Sequence, residues 1–288
     1  MQYDALWYGS QFSIGGITIN GSTDTNGCDW ILTKEDGWFG SPAVKAIRND
    51  KPASRGVFRG VEYRGARVIV LEGTLSAPSV ATLQNAIDTL SAVCPDPKSL
   101  YPLTVTSANS ARYINVALDA PITTTPISWQ SVAFSLQLMA PDLRKLDNSL
   151  TTLSTGLTTA GTGGVSYPVT YPVNYGTPGS GGSLVVTNTG TADADMTFTL
   201  AGALTTPTIT RADTGDTLTY NATLSSTDSV VINTNTGAVT QGGINRRALL
   251  TANNWFSIPA QSSITIQFRS GSPGDTGTLT VSYRNTWY

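Results

Sequence analysis

The chain has 288 residues, 40% of them hydrophobic and only 12% charged, with a net charge of −2 and no histidine. That length suggests about two domains, and the apolar share is ample for real cores. The near-neutral balance, with a pI near 5.1, lacks the basic patch or stripe of a nucleic-acid binder and favours association with other protein surfaces.

In chain order, Met1–Tyr8 carries no basic region and no long apolar run, so no signal peptide is expected. No stretch approaches the ~20 apolar residues of a membrane span, so no membrane insertion is expected either. The protein is expected to be kept in solution or built into a particle. Cys28 and Cys94 lie far apart and are read as free thiols, with a Cys28–Cys94 disulfide as the alternative. Glu35-Asp36-Gly37 reads as a turn.

Arg67–Leu75 is rich in β-branched residues and predicts a strand. From Pro78 to Cys94, the residues Val80, Leu83, Ile87, Leu90 and Cys94 recur at helical spacing. Pro78 suits the first helical position and Pro95 supplies the stop. Gln84, Asn85 and Asp88 fall on the opposite, polar face. Strands are then expected at Leu103–Ser107, Arg112–Asp119 and Ser128–Met139. The last alternates Val132, Phe134, Leu136 and Leu138 with polar or small residues, as a half-buried antiparallel strand does.

Composition shifts at Thr151–Gly182 to Gly, Ser, Thr and Pro. Tyr167–Val173 within it contains two prolines that cannot donate to a ladder, and reads as an ordered strap. From Ser183 onward the pattern is wholly β. Met196, Phe198 and Leu200, then Ile264, Ile266 and Phe268, then Leu279, Val281 and Tyr283 alternate with polar residues. Turn signals at 188–190, 213–216, 235–237 and 273–275 separate them, as in a β-sandwich. The layout is therefore mainly β, with β-sandwich domains and one α-helix in the N-terminal domain. Boundaries fall at 1–150, 151–182 for the connector, and 183–288.

Catalytic chemistry finds little purchase. Without histidine there is no Ser-His-Asp or Cys-His machinery, and two scattered cysteines make no zinc site. Gly161-Thr162-Gly163-Gly164 lacks the lysine and helix of a phosphate loop. A carboxylate pair is the route left open, with Glu35, Asp36, Glu62, Glu72, Asp119 and Asp142 as its candidates. Asp193, Asp195, Asp213 and Asp216 read as turn residues rather than calcium ligands. Arg144-Lys145 and Arg246-Arg247 read as solvated loop cations. No cofactor, no metal and no enzymatic activity are expected. Trp255-Phe256 reads as a plug on the sandwich core; Trp255 and Tyr220 are the candidates for sugar stacking if either is exposed.

Several segments, in order, resemble siphophage distal tail proteins and related minor tail proteins of actinobacteriophages. They are Asp36-Gly37-Trp38-Phe39-Gly40-Ser41-Pro42, Leu71-Glu72-Gly73-Thr74-Leu75 with Ala77-Pro78, and Met139-Ala140-Pro141-Asp142. Further along come Gly163–Pro172, Val186–Ala192, Asn254–Pro259 and Val281–Trp287. Gln261 departs from the resemblance, standing where glycine is usual. The resemblance implies a tail-tube-like, ring-forming N-terminal domain and a C-terminal sandwich resembling galectin or carbohydrate-binding modules. It implies a homo-hexameric ring joining the tail tube to the tip or baseplate hub. The implied partners are the tail tube, tape measure and tip/hub proteins, and the implied location is the virion tail, assembled in the host cytoplasm. A carbohydrate-binding module that adheres to the host wall is the competing function.

Overall fold

The computed structural model describes residues 9–46, 48–52, 54–158, 168, 172 and 181–288. The chain divides into two compact units, 1–148 with Tyr288, and 149–287.

The first unit opens with β1 (Gln11–Ile14), β2 (Ile17–Ile19) and β3 (Asp29–Asp36). Two short ladders follow: β4 (Val44–Lys45) pairs with β7 (Tyr63–Arg64), and β5 (Arg48–Asp50) with β6 (Val57–Arg59). Then come β8 (Arg67–Ser76), α1 (Val80–Ser91), β9 (Tyr101–Ser107), β10 (Ser110–Leu118), β11 (Thr123–Ser128), β12 (Ser131–Ala140) and β13 (Lys145–Asp147). The main sheet runs β2-β1-β9-β10-β12-β8-β3, with β11 pairing β12. Only Ala117 and Leu118 of β10 pair with β12, so the sheet is hinged there. Phe12, Ile14, Leu103 and Val105 from one half share a core with Ile69, Leu71, Phe134 and Leu136 from the other. Val132, Phe134, Leu136 and Leu138 are buried in the expected alternation.

The helix is shorter than Pro78–Cys94. Ser79 caps it, accepting from the Thr82 N–H at 3.1 Å, so Pro78, expected at the first helical position, lies before the cap. Leu83, Ala86 and Leu90 are its buried residues. Val80, expected on that face, is exposed, because it sits in the first turn, at the helix's entry. The strand expected at Ser128–Met139 is β12, and a further strand, β11, precedes it. The sequence hides β11 because all six of its residues are exposed and show no alternation.

The second unit is all antiparallel. One sheet has the order β14 (Thr151–Gly156), β26 (Thr278–Tyr283), β16 (Met196–Ala201), β21 (Ser229–Asn233), β22 (Val239–Gln241) and β23 (Ile244–Asn245). The other has β15 (Ser183–Asn188), β25 (Ser262–Arg269), β18 (Thr208–Arg211), β19 (Thr217–Tyr220) and β24 (Leu250–Asn253). The minor pair β17 (Leu204–Thr205) and β20 (Thr223–Leu224), with β27 (Thr286–Trp287), completes it. Phe198, Leu200, Ile266, Phe268, Leu279 and Val281 are all fully buried between the faces, as the alternation requires. Thr151–Gly156, within the span expected as connector, forms the edge strand β14 along β26. The strap at Tyr167–Val173 lies outside the described residues, apart from its two prolines.

Candidate functional site

The carboxylates separate by face. In β3 a bulge between Leu32 and Lys34 inserts an extra residue against β8. That slip turns Glu35 inward while Trp30 and Leu32 also stay inward. Glu35, read as part of a turn, is thus a buried end-of-strand acid, and only Gly37 makes the turn. Gly37 has a φ of +99°, and a Cβ there would overlap the Val68 carbonyl oxygen. Glu72 lies on the opposite face of the sheet, bonded to Lys34 at 3.1 Å. Asp119 accepts from the Gln137 amide at 2.7 Å, and Asp142 pairs with Arg144 at 2.8 Å.

Around Glu35 the fold gathers a charged cluster. Its carboxylate accepts from the Trp38 N–H. Arg67, only 1% exposed, donates to the carbonyls of Gly37, Trp38 (3.3 Å), Gly40 (2.8 Å) and Leu143 (3.1 Å). Lys145 donates to the Trp38 carbonyl at 3.2 Å and its ammonium lies 5.5 Å from the Trp38 ring centroid. Lys145, expected in a solvated loop, is therefore buried. Burial pushes the Glu35 carboxyl up, with hydrogen bonds from Trp38 and Phe39 opposing. Burial lowers Lys145 to about 8, assisted by Arg67 and Arg112. Every polar contact here goes to the Gly37–Gly40 loop or the 143–145 segment, so the cluster is a fastening. It explains why the Asp36–Pro42 motif has its form.

The second unit uses an amide instead. Asn188, fully buried, donates to the carbonyls of Ala192 (2.7 Å), Pro259 (3.3 Å) and Ile258 (3.4 Å) and accepts from Gly190 N–H at 2.9 Å and Thr286 N–H at 3.3 Å. One side chain thereby ties together three of the motif segments. Gln261 holds a φ of +50°, the left-handed region that glycine prefers.

Tyr220 has no exposed surface and its hydroxyl donates to Gln241 at 3.1 Å, so its ring offers no face to a sugar. β19 points it inward beside Leu218. Trp255 is partly buried against the core, with the Arg247 guanidinium 4.6 Å over its ring. Phe256 packs against Phe198 at 5.8 Å between centroids, as a plug does. Asp213 pairs with Arg211 at 2.7 Å, and Asp193 accepts from the Ala260 N–H at 3.0 Å. Cys28 is buried, Cys94 half-buried, and both are free. Among the described residues no cluster of three or more His, Cys, Asp or Glu side chains could hold a metal ion.

What remains open to partners is surface. The segment 43–66, carrying β4–β7, exposes Val44, Val57, Phe58, Val61 and Tyr63. The β11–β12 turn exposes Ile127 and Trp129. Sequence periodicity passes over both, since neither alternates; the run of cations in 43–66 is the signal that could have found the first.

Glu35 and Asn188 thus hold loops in place within β-sheet frames, and the exposed apolar side chains lie in the 43–66 segment and at the β11–β12 turn. Residues 189–287 match the family profile of the siphovirus-type tail component, C-terminal domain. Among solved structures, the crystal structure of the SPP1 Dit protein aligns with a TM-score of 0.66 at 13% identity, over 97% of this chain and 99% of that one. That protein is described as a paradigm of the hub adsorption apparatus in phages infecting Gram-positive hosts. The phage P2 baseplate in its activated conformation with Ca aligns with a TM-score of 0.47 at 12% identity, over 91% of this chain and 98% of that one. No curated protein matches the chain. Residues 189–287 of the second unit thus resemble a siphovirus-type tail component domain, and the whole chain has the fold of the SPP1 Dit protein.

Proposed function

We propose that this protein is a distal tail protein, closing into a homo-hexameric ring that joins the tail tube to the tip hub. The observation that carries the reading is the tail-component profile over residues 189–287; the Dit-like fold of the whole chain supports it. Closed rotational symmetry is how a head-to-tail contact avoids running on into a filament. The tail tube, tape measure and tip proteins are its partners in this reading, and it turns over no substrate. The division of labour follows the two units: ring formation in the first, tip contacts in the second. Of the two rings named for the wall-adhesion reading, Tyr220 is buried and Trp255 is left. Mass measurement of the assembled protein, with labelling of its position in purified virions, tests the proposal. A closed ring at the tube–tip junction is expected; a monomer within virions would overturn it.

A further inference from the structure

The densest run of cations is neither Arg144-Lys145 nor Arg246-Arg247. It lies in residues 43–66, which hold six of the chain's 17 Lys and Arg but only two of its 19 Asp and Glu. The rest of the chain is left with 11 cations against 17 acids. A segment of net charge +4 is thus carried on a body of net charge −6.

The same segment exposes Val44 (57%), Phe58 (60%), Val61 (65%) and Tyr63 (66%). Among the described residues its strands pair only with each other, and isolated two-stranded ribbons are marginal in water. Both ends are anchored firmly. Gly65 N–H bonds to the Ala43 carbonyl at 2.7 Å, which closes the two ends of the segment on each other. Arg67, just beyond the C-terminal end, grips the Gly37–Gly40 loop ahead of the N-terminal end. The result is a fixed root carrying an apolar, basic arm with no cover of its own.

We infer that this arm docks on the acidic body of a second copy of the chain, so that ring closure is steered by charge and sealed by the arm's apolar side chains. This rests on the ring reading above. The charge segregation is the argument for the occupant: each copy carries both the basic arm and a net-acidic body, on which Asp88, Asp96 and Asp119 are exposed. Contacts of that kind join arm to body head to tail, which is the polarity that closes a ring. The exposed valines favour a protein surface over a phosphate backbone, whose readers rely on cations and stacking rings. Long-range steering of this sort weakens as salt shortens the Debye length from about 10 Å at 0.1 M to about 3 Å at 1 M.

The test uses the full chain in two forms: purified protein by native mass measurement across a salt series, and intact virions. One variant combines Lys45→Glu, Lys51→Glu, Arg55→Glu and Arg64→Glu; a second combines Phe58→Ser and Tyr63→Ser; a third carries a photo-crosslinking amino acid in place of Phe58. The expected results are rings that dissociate as salt rises, folded but monomeric variants, and a crosslink from position 58 to another copy. Rings formed by both variants as by the unaltered protein would overturn the arm's role while leaving the ring intact. So would a crosslink in virions to a different tail protein or to DNA. Absence of any ring from virions would instead sink the ring reading, and the arm's occupant with it.

Discussion

The two units fasten their loops by opposite means. The first holds its Gly37–Gly40 loop with ionised groups: Arg67, Glu35 and Lys145, all nearly water-free. The second ties its 188–192, 258–259 and 286 segments together with one neutral amide, Asn188. A buried charge must be paired or it is costly, so the first unit's fastening is strong only as a set. A buried amide needs only its hydrogen bonds, and its strength is indifferent to pH. The loop with the charged fastening is also the one that leads into the exposed arm.

The largest effect is expected from Arg67. Arg67→Met leaves the Gly37, Gly40 and Leu143 carbonyls without this donor and removes a positive charge near Glu35, and should cost on the order of 3–5 kcal/mol in denaturant unfolding. Adding Glu35→Gln to that variant should recover part of the loss; a strictly additive double variant would show the two do not act together. Leu83→Ala on the buried face of α1 should cost about 2–5 kcal/mol, whereas Val80→Ala at the exposed first turn should be close to neutral.

Asn188→Ala should cost on the order of 2–4 kcal/mol, since it orphans buried carbonyls and N–H groups at once, and the loss should be the same at pH 6 and pH 9. Lys145 provides the contrast. Its native pKa of about 8 lies below the ordinary 10.5. The cost of burying its charge is therefore fully present below about pH 8 and is relieved as pH rises towards 10.5. Stability should climb across that window by on the order of 1–3 kcal/mol, and Lys145→Met should remove that climb. Smallest is Gln261→Gly, which relieves a left-handed backbone and should stabilise by up to about 1 kcal/mol; a destabilised variant would mean that the Gln261 side chain holds the turn.

Where one face of an element is buried and the other wet, the sequence announced it. Met196–Leu200, Ile264–Phe268 and Val132–Leu138 all bury the residues their alternation picks out. The failures share a cause. The inward turn of Glu35 depends on a bulge set by pairing with β8, and Lys145 is buried by residues distant in sequence. Neither leaves a local trace. The β11 strand is invisible because an edge exposed on every residue needs no apolar face. At Gln261, which stands where the resemblance has glycine, the backbone keeps the left-handed conformation with a φ of +50°. Tyr220 shows that an aromatic at an alternating position gives no sign, by itself, of whether it faces core or solvent.

As a ring-forming component of the tail tip, which is the role we propose, the protein would occupy a single level of the virion. The most direct measurement is electron microscopy of purified virions carrying an epitope tag on this protein, with copy number obtained by mass measurement of isolated tails. The account predicts six copies in one ring where the tail tube ends. Label absent from the virion, or scattered along the tube, would contradict it.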